Sequence, residues 1–236
     1  MSANGFQSEE TSIQTYDIGG VIPISGFDTV PAGTNLLISG PPMVGKQRLA
    51  LELLAAGPGL EHAIAITPET GYTQLKRAYE SVPGSESDRF YLVDCTGATG
   101  KGSMDDTDRV KYVSSAGDLT GLGMGLVKCT REIGTKIDTG VRLSVLSLST
   151  LAKYASAQRL FNFVHTITGR VSAAEYLGVA TLDPTTLEDQ QTNTLTSLFD
   201  AVVELREADD GSLEIRVLGW PEASREWHRY EPENRT

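Results

Sequence analysis

An apolar run, a glycine-flanked loop and a helical segment follow one another without a spacer between residues 36 and 56, and this junction constrains the fold more than any other stretch. Leu36, Leu37 and Ile38 read as a buried strand. Gly40, Pro41, Pro42, Met43, Val44, Gly45 and Lys46 come next, and the strong helix formers of residues 46–56 stop at Gly57 and Pro58. In a loop of this pattern the backbone N–H groups converge on phosphate oxygens. The lysine reaches the outer phosphates, and the helix N-terminus favours the anion. Glycine is needed where a side chain would block that approach. Residues 40–46 are therefore expected to bind a nucleotide, with Gln47 beside them. In the full motif a Ser or Thr at the position of Gln47 would put a hydroxyl on Mg²⁺, and the longer glutamine side chain suits a tight octahedral site poorly.

Short apolar runs alternate with helical patterns over most of the remaining chain. Strands are expected at residues 63–66, 90–93, 143–148 and 178–182, and helices at 46–56, 72–79, 119–133 and 186–199. Leu160, Phe163, Val164 and Ile167 recur at i, i+3, i+4 and i+7, which marks another amphipathic helix. Residues 96–117 read as irregular. Residues 201–206 and 213–218 surround Asp210 and Gly211 as a hairpin. The order predicts a mostly parallel α/β sheet with an antiparallel edge, in one domain over residues 18–220. Residues 1–17 read as a flexible tail and residues 221–236 as a charged extension carrying Trp227 and Tyr230.

The charge balance narrows the function. With 31 acidic and 20 basic residues the chain carries a net charge of −11, which repels phosphate backbones and disfavours nucleic acid as a partner. Asp105, Asp106 and Asp108 reinforce this in the region after the third strand. Only seven cations are lysine against thirteen arginine, a balance that fits either plain solubility or hydration in strong salt. Cys95 and Cys129 lie far apart with no metal-ligand spacing, so neither a zinc site nor a disulfide framework is expected and a reducing cytoplasm fits. No run of about 18 apolar residues suggests a membrane span, and the polar, acidic start suggests no signal peptide.

Around the loop, one carboxylate stands out. Glu69, just past the second strand, is the candidate for orienting or deprotonating a water near a γ-phosphate, with a helix-start residue as the competing reading. The strand expected at 143–148 carries no acid to hold a metal's water shell. Asp94 and Asp183 end other strands and could substitute, or serve as turn residues. The metal ligands, if any, stay unassigned. Gly121-Leu122-Gly123 lacks the preceding strand a dinucleotide site needs, and His165 has no nucleophile spaced to use it.

The run from Ile24 to Pro42, with Gly26-Phe27-Asp28 ahead of Gly33-Thr34-Asn35-Leu36-Leu37-Ile38-Ser39-Gly40, resembles the opening segment of the RecA/RadA/KaiC superfamily. Asp118-Leu119-Thr120-Gly121, Ser147-Leu148-Ser149-Thr150-Leu151, Phe163 to Arg170 and Leu198-Phe199-Asp200 are similar to a KaiC-like group from halophilic archaea. The resemblance spans about residues 18–220. It implies a RecA-like P-loop NTPase sandwich of three layers, mostly parallel with a C-terminal antiparallel hairpin. It also implies salt adaptation, and Arg216 as a cation reaching a neighbouring subunit's nucleotide. Four positions depart from the pattern: Gln47; Pro68, where the pair of glutamates keeps only Glu69; Ser147, where a Walker B aspartate is expected; and Leu218, where a second cation is expected.

The expectation is an ATP-binding regulatory or signal-transduction protein with hydrolysis weakened or lost, and with Mg²⁺ poorly provided for. Its partner would be a protein or further copies of itself. The alternative is a slow ATPase in an oligomer, using Lys46, Glu69 and Arg216. A DNA recombinase ranks below both.

Overall fold

The computed structural model describes residues 15–57, 61–96, 105–134 and 140–232. Two short strands, β1 (Thr15–Asp17) and β2 (Thr29–Pro31), pair antiparallel. The elements that follow are β3 (Asn35–Ser39), α1 (Lys46–Ala55), β4 (His62–Thr67), α2 (Tyr72–Glu80), β5 (Phe90–Asp94), β6 (Val110–Tyr112) and α3 (Leu119–Ile133). Then come β7 (Val141–Val145), α4 (Leu148–Tyr154), α5 (Ala157–Ala173), β8 (Leu177–Leu182), α6 (Asp189–Thr196), β9 (Ala201–Glu207), β10 (Leu213–Leu218) and β11 (His228–Arg229).

Strands that are apolar throughout need cover on both faces. β3, β4, β5, β7 and β8 are buried at every residue, and the helices divide to cover them. α1 and α2 pack on one face with Leu36, Ile38, Ala63 and Ala65. α3, α4, α5 and α6 pack on the other with Leu37, Ile64, Ile66 and Leu143. Among the described residues the main sheet runs β11-β10-β9-β3-β8-β7-β4-β5-β6, parallel from β9 to β6 and antiparallel over β9, β10 and β11. This is the three-layer arrangement expected from the sequence, with the hairpin turning at Asp210 and Gly211 as its residues indicated.

Four boundaries differ from expectation. Residues 1–14 of the expected tail lie outside the described residues, but residues 15–17 are β1, because the Tyr16 ring has an apolar pocket to fill and is fully buried. Residues 110–112, expected to be irregular, form edge strand β6 beside β5. The strand expected at 143–148 ends at Val145 and α4 follows. The alternation of Leu143, Val145 and Leu146 with Ser144 and Ser147 mimics a strand, but Ser147 starts a helix. The helix expected at 186–199 is shortened to α6, since Pro184–Thr186 forms a single 3₁₀ turn capped by Asp183.

Residues 221–232, the described part of the C-terminal extension, pack rather than dangle. β11 pairs with β10, the guanidinium groups of Arg206 and Arg216 lie over the Trp227 ring at 4.1 and 4.4 Å, and the buried Tyr230 hydroxyl donates to Glu52 at 2.9 Å. Trp220 meets Phe27 edge to face.

The Tyr16 hydroxyl accepts from the Val141 N–H at 3.1 Å and lies within donor distance of the Glu175 and Val141 carbonyls. Burial pushes its phenol up to about 12 from 10.0. Above the unfolded value the unfolded chain ionises and the folded one does not. The stability Tyr16 contributes is therefore full below pH 10 and is lost as pH rises through about 12. Tyr16→Phe is expected to shallow the alkaline slope of unfolding free energy and to cost ~1–3 kcal/mol at neutral pH by leaving the Val141 N–H unpaired, as read by urea unfolding.

Cys95 and Cys129 are buried, and burial pushes both thiols up to about 12. The thiolate is the reactive form. Native protein at pH 8 is expected to resist iodoacetamide at both positions while unfolded protein is alkylated at both, as counted by intact mass.

Candidate functional site

The C-terminal ends of β3, β4, β7 and β8 meet around a cavity of about 580 Å³. β8 and β7 insert between β3 and β4, so the chain leaving β3 crosses them before β4. Such gaps at the carboxyl ends of parallel strands are where ligands sit in open α/β sheets.

Loop 40–45 closes one side. Gly40 packs against β9 so closely that a Cβ would lie 2.5 Å from the Leu205 carbonyl oxygen, so only glycine fits there. Gly45 turns the chain into α1 with φ of 89°, a left-handed backbone that glycine adopts freely. Pro42, Met43, Gly45, Lys46 and Gln47 line the cavity, with the Met43 side chain fully exposed. Val44 instead points into the core. The Lys46 ammonium folds back across the loop and donates to the Gly40 carbonyl at 2.8 Å and to the Pro41 carbonyl. Burial holds this ammonium below the usual lysine range, and the negative charges of Asp183 and Glu69 oppose the shift.

Glu69 faces the same cavity. Beyond β4, the Thr67 hydroxyl accepts from the Thr70 N–H at 3.1 Å, and this turn swings Glu69 across toward α4. There Glu69 Oε1 accepts from the Ser147 hydroxyl at 2.7 Å and from the Thr150 hydroxyl. Ser147 has φ of 66°, rare for a residue with a side chain, and three contacts hold it. Its N–H donates to Thr181 Oγ1 at 2.7 Å, its Oγ accepts from the Thr150 N–H at 3.2 Å, and its hydroxyl holds Glu69. At the position where the resemblance places a metal-associated aspartate, this chain has a helix-capping hydroxyl.

The donor set is poor for Mg²⁺, since each of the two cavity carboxylates has one oxygen already taken. One Glu69 oxygen is occupied by two hydroxyls. Asp183 Oδ1 is taken by the Thr185 N–H and hydroxyl at 3.0 and 2.7 Å. Asp94 is buried outside the cavity lining and accepts from Tyr72 N, Thr96 N and the Thr96 hydroxyl, so it is a turn residue. Among the described residues no group of three or more His, Cys, Asp or Glu side chains is arranged to hold a metal. Octahedral Mg²⁺ needs oxygens free to face it.

Arg216 is not part of this cavity. It projects from β10, pairs with Glu204 at 2.6 Å and lies against Trp227. Asp118 caps α3 by accepting from the Gly121 N–H, and a Cβ on Gly125 would lie 2.7 Å from a Val93 methyl. Residues 118–125 thus bring α3 close to the sheet, away from the cavity. His165 is exposed on α5 and stacks on Phe161.

Sequence reasoning missed the grip of Ser147 and Thr150 on Glu69, and it missed Lys153, which lines the cavity from the last turn of α4. Both become legible once residues 147, 150 and 153 are read at a spacing of three along a helix.

The fold is that of two solved archaeal proteins. The KaiC-like protein PH0186 from Pyrococcus horikoshii OT3 matches with a TM-score of 0.62 and 14% identity over 94% of each chain. The flagellar accessory protein FlaH from Methanocaldococcus jannaschii matches with a TM-score of 0.58 and 14% identity, over 94% of this chain and 96% of its own. The RecA-like α/β fold expected from the sequence is therefore the fold of this chain, and identities this low speak to fold alone. No helix among the described residues is long and apolar enough to cross a membrane. A search of curated proteins finds no match. Residues 33–205, spanning loop, cavity and parallel sheet, match a family of unknown function, DUF7504, and the chain belongs to that family.

Proposed function

We propose that the chain binds ATP at loop 40–46 as a regulatory or signal-transduction protein, with hydrolysis weak or lost. The observation that carries this reading is Lys46, half-buried and directed across a glycine loop into a cavity large enough for a nucleotide. Its ammonium rests on two loop carbonyls beside that cavity, and α1 begins there with N–H groups available to an anion.

The reading of weak turnover is supported by Ser147 and Gln47. Hydrolysis needs the leaving phosphates polarised, and neither residue supplies a metal ligand of the usual kind. The second reading, a slow oligomeric ATPase, draws on Glu69 lining the same cavity as Lys46. Arg216 would have to leave Glu204 and Trp227 to act on a neighbouring copy. The acidic, lysine-poor composition supports a halophilic setting, so the test belongs in multimolar KCl as well as in dilute buffer.

ATP binding and phosphate release by wild type and Lys46→Ala separate the readings. Binding without release supports the regulatory protein. Release that Lys46→Ala abolishes supports the ATPase, and no binding by wild type removes both.

A further inference from the structure

The cavity is unusually cationic for this chain. Lys46, Arg48 and Lys153 line it against Glu69 and Asp183, in a protein whose net charge is −11. Two of the seven lysines in the sequence are therefore in one cavity. Arg48 is committed to Glu52 at 2.6 Å and to Ser81 at 2.9 Å. Lys153 is exposed and has no ion pair among the described residues. It stands three residues past Thr150 and six past Ser147, and all three line the cavity. One face of α4 thus presents the hydroxyls that occupy Glu69 and, a turn further on, an exposed cation.

A nucleoside triphosphate brings about four negative charges, which a divalent cation usually offsets. Here Glu69 and Asp183 each have one carboxylate oxygen already engaged, Gln47 and Ser147 stand where a metal-binding hydroxyl and an acid would be, and a second lysine lines the same space. Resting on the nucleotide-binding reading, we propose that this site takes a nucleoside triphosphate without a divalent cation, with Lys153 supplying from α4 the positive charge that Mg²⁺ would bring. Lys46 holds the phosphates from the loop side and Lys153 from the opposite wall. The long, flexible Lys153 stem suits this role, because an ammonium can follow the phosphate chain without the fixed octahedral shell a metal requires.

The test is calorimetric titration of the full chain with ATP, in excess Mg²⁺ and in excess EDTA at one ionic strength. Wild type is expected to bind in both media with affinities within about twofold. Lys153→Met is expected to weaken binding by about fivefold or more in both media, while Lys76→Met, at a half-exposed lysine of α2 outside the cavity, changes nothing. Thermal unfolding of each variant checks that it is folded. Tightening by Mg²⁺ of about tenfold or more, or wild-type affinity in Lys153→Met, overturns the proposal and leaves nucleotide binding standing. Failure of wild type to bind in either medium overturns the nucleotide reading and this proposal together.

Discussion

Replacing Arg142 by alanine is expected to lower the unfolding free energy by ~3–5 kcal/mol, enough to threaten the folded state of a marginally stable domain. The Arg142 side chain is fully buried in β7. Its Nε donates to Glu61, Nη1 donates to the Leu53 carbonyl at 2.9 Å and Nη2 to the Asp17 carbonyl at 2.9 Å. The guanidinium also lies over the Tyr16 ring at 5.2 Å. One side chain thus ties the end of α1, the segment before β4 and the first strand to the centre of the sheet.

Alanine would leave the buried Glu61 carboxylate unpaired and two carbonyls without donors, and that is the source of the cost. Arg142→Lys keeps the charge but not the fork, so it is expected to recover only part of the loss. Urea unfolding measures both. A loss below about 1 kcal/mol for Arg142→Ala would show that water reaches Glu61 and that the buried network is not what holds β1 in place.

Lys46→Ala is expected to weaken ATP binding by about 30-fold or more, corresponding to ~2 kcal/mol or more, while leaving the unfolding midpoint nearly unchanged. The contrast follows from where Lys46 makes its contacts. In the free protein its ammonium bonds to loop carbonyls at the edge of solvent, and water can replace it there. In the complex the same ammonium would face phosphate oxygens inside the cavity, where a lost charge is not replaced. Alanine is also the best helix former, so the first turn of α1 tolerates it. Calorimetric titration with ATP and a parallel urea curve separate binding from folding. Wild-type affinity in Lys46→Ala would remove loop 40–46 from the binding reading.

The fold was legible because its signals are local. The β3, loop and α1 junction is continuous in sequence, and the Leu160, Phe163, Val164 and Ile167 face of α5 shows at a glance. β1 and β6 were not legible, since strands of three residues carry too few positions for a period. α4 was hidden because Leu143 to Leu148 is a mostly apolar run interrupted by serines, which fits a strand until Ser147 turns into a left-handed backbone.

The sequence alone determined the alternation of the longer strands and helices, the glycine loop with its lysine and the lack of an acid in the strand before Ser147, because each depends only on neighbouring residues. Only the tertiary structure decided what those residues do together. It set Glu69 under the Ser147 and Thr150 hydroxyls, sent Arg216 to Glu204 and Trp227, and placed Lys153 in the cavity with Lys46. The cavity side chains come from strands and helices separated by scores of residues, and only the packing of a sheet between two helical layers brings their ends to one place.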